Sequence, residues 1–223
     1  MSQKLTTDNQ QLKLKVCGLT KLDQIEVLIS LKVSFLGFIF YGKSPRFVLN
    51  SLTLNQILEI EHQGKVGVFV NESVEKIVEI SEKAKLNYIQ LHGDESDDFI
   101  SELRKKLNPE IKIIKVIRIG NQTSDELQKT LNPQPSTVNY FLFDTDSKSF
   151  GGTGTTFDWQ LLNNLEITKP YFLSGGISEE NIDQLSTISQ QTFSLDINSK
   201  FEIEPGNKDL EKIKEFQSII QNL

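Results

Sequence analysis

The feature that most limits what this chain can fold into is a repeat of form rather than of residues. Short β-type runs recur at "LKLKVC" (12–17), "FLGFIF" (35–40), "KVGVFV" (65–70), "NYIQLH" (87–92), "KIIKVIRI" (112–119), "NYFLFDT" (139–145), "PYFLSGG" (170–176) and "TFSLDI" (192–197). Most are followed by apolar residues at helical spacing, such as Val74, Ile77 and Val78, or Ile213, Phe216 and Ile220. Thr20 opens a capping-box-like "TKLD" before the first helix, and "FDWQLLNNL" and "SEENIDQLSTI" serve as the sixth and seventh. Eight units at a spacing of roughly 25–30 residues match an α/β fold of the (βα)8 TIM-barrel kind, as a single domain over residues 12–223. A doubly wound sheet uses the same units. Its glycine fingerprint is missing, because "GGTGTTF" has Phe157 where the third glycine is due.

In such a barrel the chemistry sits at the C-terminal ends of the strands. Those ends carry Cys17, Lys43–Arg46, Asn71, His92, Arg118, Asp144, Gly175, Gly176 and Asp196–Ser199. Strand side chains alternate between faces. With Leu12, Leu14 and Val16 packed under the helices, Lys15 and Cys17 point to the barrel axis, as do Gln90, His92, Leu142, Asp144, Ser194 and Asp196. The first and eighth strands become neighbours on closure, so Lys15 and Asp196 are expected to form a buried ion pair. A lone cysteine is ordinarily a small buried hydrophobe. A strand aspartate is ordinarily a cap or a partner. It is the place of both residues, inward and at the active end, that points to chemistry.

"LSGGIS" and "DINSKFEIEPGNKD", after the seventh and eighth runs, suit a phosphate: glycines let backbone amides approach an anion. The net charge of −6, with no basic stripe, argues against a nucleic-acid partner. One cysteine allows no internal disulfide, and two distant histidines leave little for a metal site. No cofactor is implied. No apolar run approaches the ~20 residues of a membrane span. The polar start "MSQKLTTDNQQ" lacks a signal segment, so a cytoplasmic protein with a flexible extension over residues 1–11 is expected.

The chain resembles the phosphoribosylanthranilate isomerases of tryptophan biosynthesis. The resemblance rests on "KVCGLT" (15–20), "GFIFYGKSPRFV" (37–48), "VGVFVN" (66–71), "QLHGDE" (90–95), "FDT" (143–145), "GGTGTTFDW" (151–159), "LSGGI" (173–177), "LDINSKFE" (195–202) and "PGNKD" (205–209). It implies an Amadori rearrangement of N-(5-phosphoribosyl)anthranilate to 1-(2-carboxyphenylamino)-1-deoxyribulose 5-phosphate, without metal or coenzyme. By this resemblance Cys17 is the general base, Asp144 the general acid and Arg46 the clamp on the anthranilate carboxylate. Gly175, Gly176 and Ser199, around the last two strands, are the phosphate binders, and Gly152 and Gly154 are expected among the substrate-contacting residues. The inward Gln90, His92 and Asp196, with Asn198, complete the expected substrate-contacting set, and Lys15 supports the base.

Chemistry sets further demands. Ring opening calls for an Asp144 that holds a proton, which desolvation favours. Proton abstraction calls for thiolate character at Cys17, with Lys15 the first candidate to supply it. Where the family reads "SSG" after the eighth strand, this chain has "NSK" at 198–200. Glycine there permits close approach or a positive φ, so Lys200 either disturbs the phosphate site or adds a charge to it. The loop "TDSKSFGGTG" has the glycines of a lid. Competing readings are a sister sugar-phosphate isomerase, against which Cys17 weighs, and a non-catalytic phosphate-binding barrel. The expected partner is a small phosphosugar–anthranilate molecule, handled by a monomer or a homodimer.

Overall fold

A computed structural model describes residues 11–132, 137–146 and 156–222. Eight parallel strands close into a barrel in sequence order: β1 (Lys13–Val16), β2 (Phe35–Ile39), β3 (Lys65–Phe69), β4 (Tyr88–Leu91), β5 (Lys112–Ile119), β6 (Tyr140–Thr145), β7 (Tyr171–Leu173) and β8 (Ser194–Ile197). The helices are α1 (Leu22–Ser30), α2 (Leu54–Glu59), α3 (Val74–Lys83), α4 (Asp97–Lys106), α5 (Ser124–Leu131) and α6 (Leu210–Ile220). No helix among the described residues is long and apolar enough to cross a membrane.

The strand alternation produces two separate apolar regions. Leu14, Val16, Leu36, Ile89, Phe141 and Leu195 face outward beneath the helices and merge with Ile25, Ile77, Ile100 and Phe216. Cys17, Phe35, Val66, Val68, Ile114, Val116, Leu142 and Phe172 fill the barrel interior. At its N-terminal end Phe35, Tyr88, Tyr140, Phe172 and Phe193 pack edge-on or tilted, with centroids 5.0–6.0 Å apart. This aromatic plug closes the bottom of the barrel and leaves the other end to polar groups.

Three local expectations are corrected. The sixth and seventh units carry 3-10 segments, Trp159–Asn164 and Ile182–Thr187, in place of α-helices. Thr20 does not cap α1: the N-cap is Lys21, without a side-chain bond, and the Thr20 hydroxyl instead donates to Gly206 O at 2.7 Å. Beyond β8 lies an unforeseen antiparallel hairpin, β9 (Glu202–Glu204) and β10 (Asn207–Lys208). The Thr20 bond ties this hairpin to the loop after β1.

Candidate active site

Cys17 follows β1 directly, and its amide donates to Ile197 O at 2.9 Å, which pins it against the end of β8. Its surroundings require missing side chains. A Cβ on Gly37, on the neighbouring β2, would lie 2.9 Å from the Cys17 sulfur. One on Gly18, where φ is +76°, would meet Arg46 Cδ at 2.7 Å and Asn198 Oδ1 at 2.9 Å. The turn after the cysteine is thus in van der Waals contact with the loop after β2 and with the end of β8.

Lys15 stands opposite Asp196 in the β1–β8 register, and the two form the expected ion pair at 2.8 Å. Lys15 has no solvent exposure. Burial pulls its pKa down, but the Asp196 carboxylate and the Cys17 sulfur outweigh burial and leave it raised, so the ammonium is held charged. Burial pushes Asp196 the other way, toward the neutral acid, against the pull of Lys15. A direct contact to a fully enclosed ammonium favours the ionised pair. For Cys17 the expected lowering is corrected. Burial dominates and raises its pKa, with Lys15 and then Lys208 pulling against it.

Across the barrel, Asp144 on β6 and His92 at the end of β4 converge. Asp144 Oδ2 lies 3.4 Å from His92 Nε2, while its Oδ1 accepts from the Thr145 amide at 2.9 Å. Gln90 Nε2 is 3.0 Å from His92 Nδ1. With the amide donating there, the neutral ring carries its proton on Nε2. His92 Nε2 and Gln90 Oε1 are buried yet make no hydrogen bond with the protein. Buried polar atoms are ordinarily satisfied, so these two are left for water or a bound molecule to meet.

Arg46 already meets a carboxylate, and it belongs to this chain. Its Nε donates to Glu202 Oε1 and Oε2 at 3.0 and 2.9 Å, and its Nη2 to Oε2 at 2.6 Å, leaving Nη1 outside the fork. Glu202 Oε1 also accepts from Lys208 Nζ at 2.7 Å. These cations outweigh the effect of burial and leave its pKa lowered.

A third region opens between the loops after β7 and β8. Thr156, Gly176, Ser178, Glu180, Asn181, Lys200 and Lys212 line a cavity of about 470 Å³. Gly175 and Gly176 both have positive φ, and Asn181 braces their loop through Ser178 N and Gly176 O. Among the described residues the non-glycine ones with positive φ are Lys32, Asn71 and Lys85, so Lys200 needs no glycine-like backbone to line this cavity. Ser199 begins a short 3-10 turn (Ser199–Phe201) beside it. Asn198 turns toward Lys208, whose ammonium donates to its Oδ1 at 2.9 Å.

The structure therefore gathers Lys15, Cys17, Gln90, His92, Asp144 and Asp196 inside the mouth, with Arg46 and Asn198 at its rim and Gly175, Gly176 and Ser199 around the cavity. Gly152, Gly154 and most of the expected lid lie outside the described residues. Among the described residues no three His, Cys, Asp or Glu side chains converge as metal ligands. The residues missed from sequence are Gly37, Glu202, Lys208 and Lys212. Glu202 and Lys208 lie within "LDINSKFE" and "PGNKD", but only the hairpin fold turns them inward.

The model of the N-(5'phosphoribosyl)anthranilate (PRA) isomerase family matches residues 14–219. An N-(5'-phosphoribosyl)anthranilate isomerase of Parabacteroides distasonis is 39% identical over 206 residues, covering 91% of this chain and 90% of that protein. The crystal structure of phosphoribosyl anthranilate isomerase from Thermotoga maritima superposes with a TM-score of 0.76 at 28% identity, covering 95% of this chain and all of that one. A phosphoribosyl anthranilate isomerase solved in complex with reduced 1-(o-carboxyphenylamino)-1-deoxyribulose 5-phosphate gives a TM-score of 0.74 at 26% identity, with 95% and 100% coverage. By the extent of these matches, the chain belongs to the N-(5'-phosphoribosyl)anthranilate isomerase family.

Proposed function

We propose that the mouth of this barrel performs the Amadori rearrangement of N-(5-phosphoribosyl)anthranilate with Cys17 as general base and Asp144 as general acid. Family membership makes the chain an isomerase of tryptophan biosynthesis; the resemblance to that family assigns the roles of its residues, and their placement supports the assignment. The observation that carries the assignment is the pair itself. A thiol on the β1 side and a carboxyl on β6 are both buried, both inward and both at the C-terminal ends.

Asp144 gives its proton to the ring oxygen as the C1–O bond breaks, and the anilino nitrogen lone pair forms the C1=N iminium. The Cys17 thiolate then takes the C2 proton. The C–H electrons become the C1=C2 bond, and the iminium nitrogen regains its pair. Transfer of the C2 hydroxyl proton and protonation of C1 yield the ketose, so the reaction is redox-balanced within one molecule.

The orphaned His92 Nε2 proton and Gln90 Oε1 are a donor and an acceptor for sugar hydroxyls. Arg46, held by Glu202, presents Nη1 to the anthranilate carboxylate. The phosphate enters the cavity lined by Gly176 and Ser178, beside Ser199, where Lys200 and Lys212 add charge. This reading is tested by following the loss of anthranilate-type fluorescence. Cys17→Ala and Asp144→Asn are each expected to fold normally and to lose 10²–10⁴-fold or more in kcat, roughly the contribution of one general acid or base. Near-normal turnover in either variant would overturn that residue's role.

A further inference from the structure

Lys208 is a buried lysine that the reaction as drawn does not use. It is 1% exposed, and its backbone is clamped on both sides by one residue: Lys208 N donates to Gln24 Oε1 and Gln24 Nε2 to Lys208 O, each at 2.9 Å. Its ammonium donates to Glu202 Oε1 and to Asn198 Oδ1. The same Asn198 oxygen lies against Gly18, the residue after Cys17, and Glu202 grips Arg46. A contiguous chain of contacts thus runs from the turn that bears the thiol to the guanidinium at the rim.

Charge counting gives this chain a direction. Lys15, Lys208 and Arg46 are three cations, and Asp196 and Glu202 are two carboxylates. With Asp144 carrying its proton as the proposed acid, the cluster is one positive charge in excess, and a buried surplus is costly unless an anion meets it. The side chain at its centre able to become that anion is Cys17. We propose that Lys208 is a positioning residue for the base: it supplies, with Lys15, the surplus charge that the Cys17 thiolate completes. Through Glu202 it also holds Arg46 in line with that thiolate. The inference rests on Cys17 being the base.

The charged groups felt by Cys17 are Lys15 on its own strand, Asp196 on β8 and Lys208 on β10; Gly37 on β2 brings none. Arg46 and Glu202 face Lys208 from the far side, and Asp144 and His92 act on Asp196. Lys208 opposes the burial that pushes the thiol up.

Cys17 is the only cysteine, so thiol titration reports on this site alone. The test compares the pH dependence of thiolate absorbance and of alkylation by iodoacetamide in the wild type, Lys208→Met and Lys208→Arg, without substrate. Lys208→Met is expected to move the midpoint up by about one pH unit and to slow alkylation near pH 7 about tenfold, whereas Lys208→Arg restores most of both. The acid limb of kcat/KM is expected to move with it. If Lys208→Met fails to fold, Lys208→Gln, which removes the charge but keeps a donor for Asn198 Oδ1 and Glu202 Oε1, is titrated instead. An unmoved midpoint in a folded variant overturns the proposal. That result leaves the Cys17→Ala experiment untouched, so the two readings fail separately.

Discussion

At the scale of single residues, the site is a set of charges whose partners were chosen by the fold. Arg46 illustrates this. Read from "KSPR" it is a free clamp for a substrate carboxylate, but in the structure Glu202 already occupies two of its donor positions. An arginine fixed by a planar carboxylate presents its remaining edge in one orientation, which a lysine cannot do. Glu202 has a consequence for stability as well. Burial pushes its pKa up, but Arg46 and Lys208 prevail and leave it lowered. A carboxyl lowered on folding stabilises the native state above its unfolded pKa, and that contribution fades as pH falls through the folded value. Glu202→Gln is therefore expected to flatten the loss of Tm between about pH 5 and 3. The check is thermal unfolding followed across that range. An acid profile identical to wild type counts against the linkage.

At the scale of elements, the proposed function assigns the phosphate to the ends of β7 and β8 and proton transfer to the ends of β1 and β6. The loop after β7 takes the two left-handed glycines, and α6 brings Lys212 across the Phe201 ring at 5.3 Å. Lys200→Ala with Lys212→Ala is expected to raise KM about tenfold or more with little change in kcat, since uniform binding is lost rather than transition-state contact. The effect is expected to shrink in high salt, and steady-state kinetics at two ionic strengths check it. The 3-10 segments of the sixth and seventh units belong to this scale too. Length alone does not explain them, since α2 is α-helical over six residues and carries a Thr53–Gln56 capping box. In Ile182–Thr187 the hydroxyls of Ser186 and Thr187 bond backbone carbonyls three residues back at 2.7 Å, competing with the helical ladder. Apolar spacing alone does not register that competition.

At the scale of the molecule, the barrel separates stability from chemistry along its axis. The aromatic plug sits at the N-terminal end, and Phe172 within it has no exposure. Phe172→Ala is expected to cost about 3–5 kcal/mol of unfolding free energy, as for other large core truncations. Denaturant unfolding measures that loss, and kcat of the folded fraction is expected to stay within a few-fold of wild type. A large drop in kcat with unchanged stability would contradict this division. Closure itself is marked by Lys15 and Asp196, residues 181 positions apart that become register partners when β1 meets β8.

What the amino-acid sequence determined by itself is periodic or local. The eight strands, the inward set Lys15, Cys17, Gln90, His92, Asp144 and Asp196, and the Lys15–Asp196 pair follow from a two-residue alternation and ring closure. Each needs only neighbours along the chain and the rule that a barrel has no edges. What the tertiary structure decided is which charges meet. Glu202 and Lys208 sit on a hairpin with no periodic signature, and no spacing announces that Glu202 will take Arg46 or that Lys208 will reach Asn198. The balance at Cys17 was likewise out of reach of the sequence, because burial and cation proximity act in opposite directions. Both depend on distances through space, which residue order does not contain.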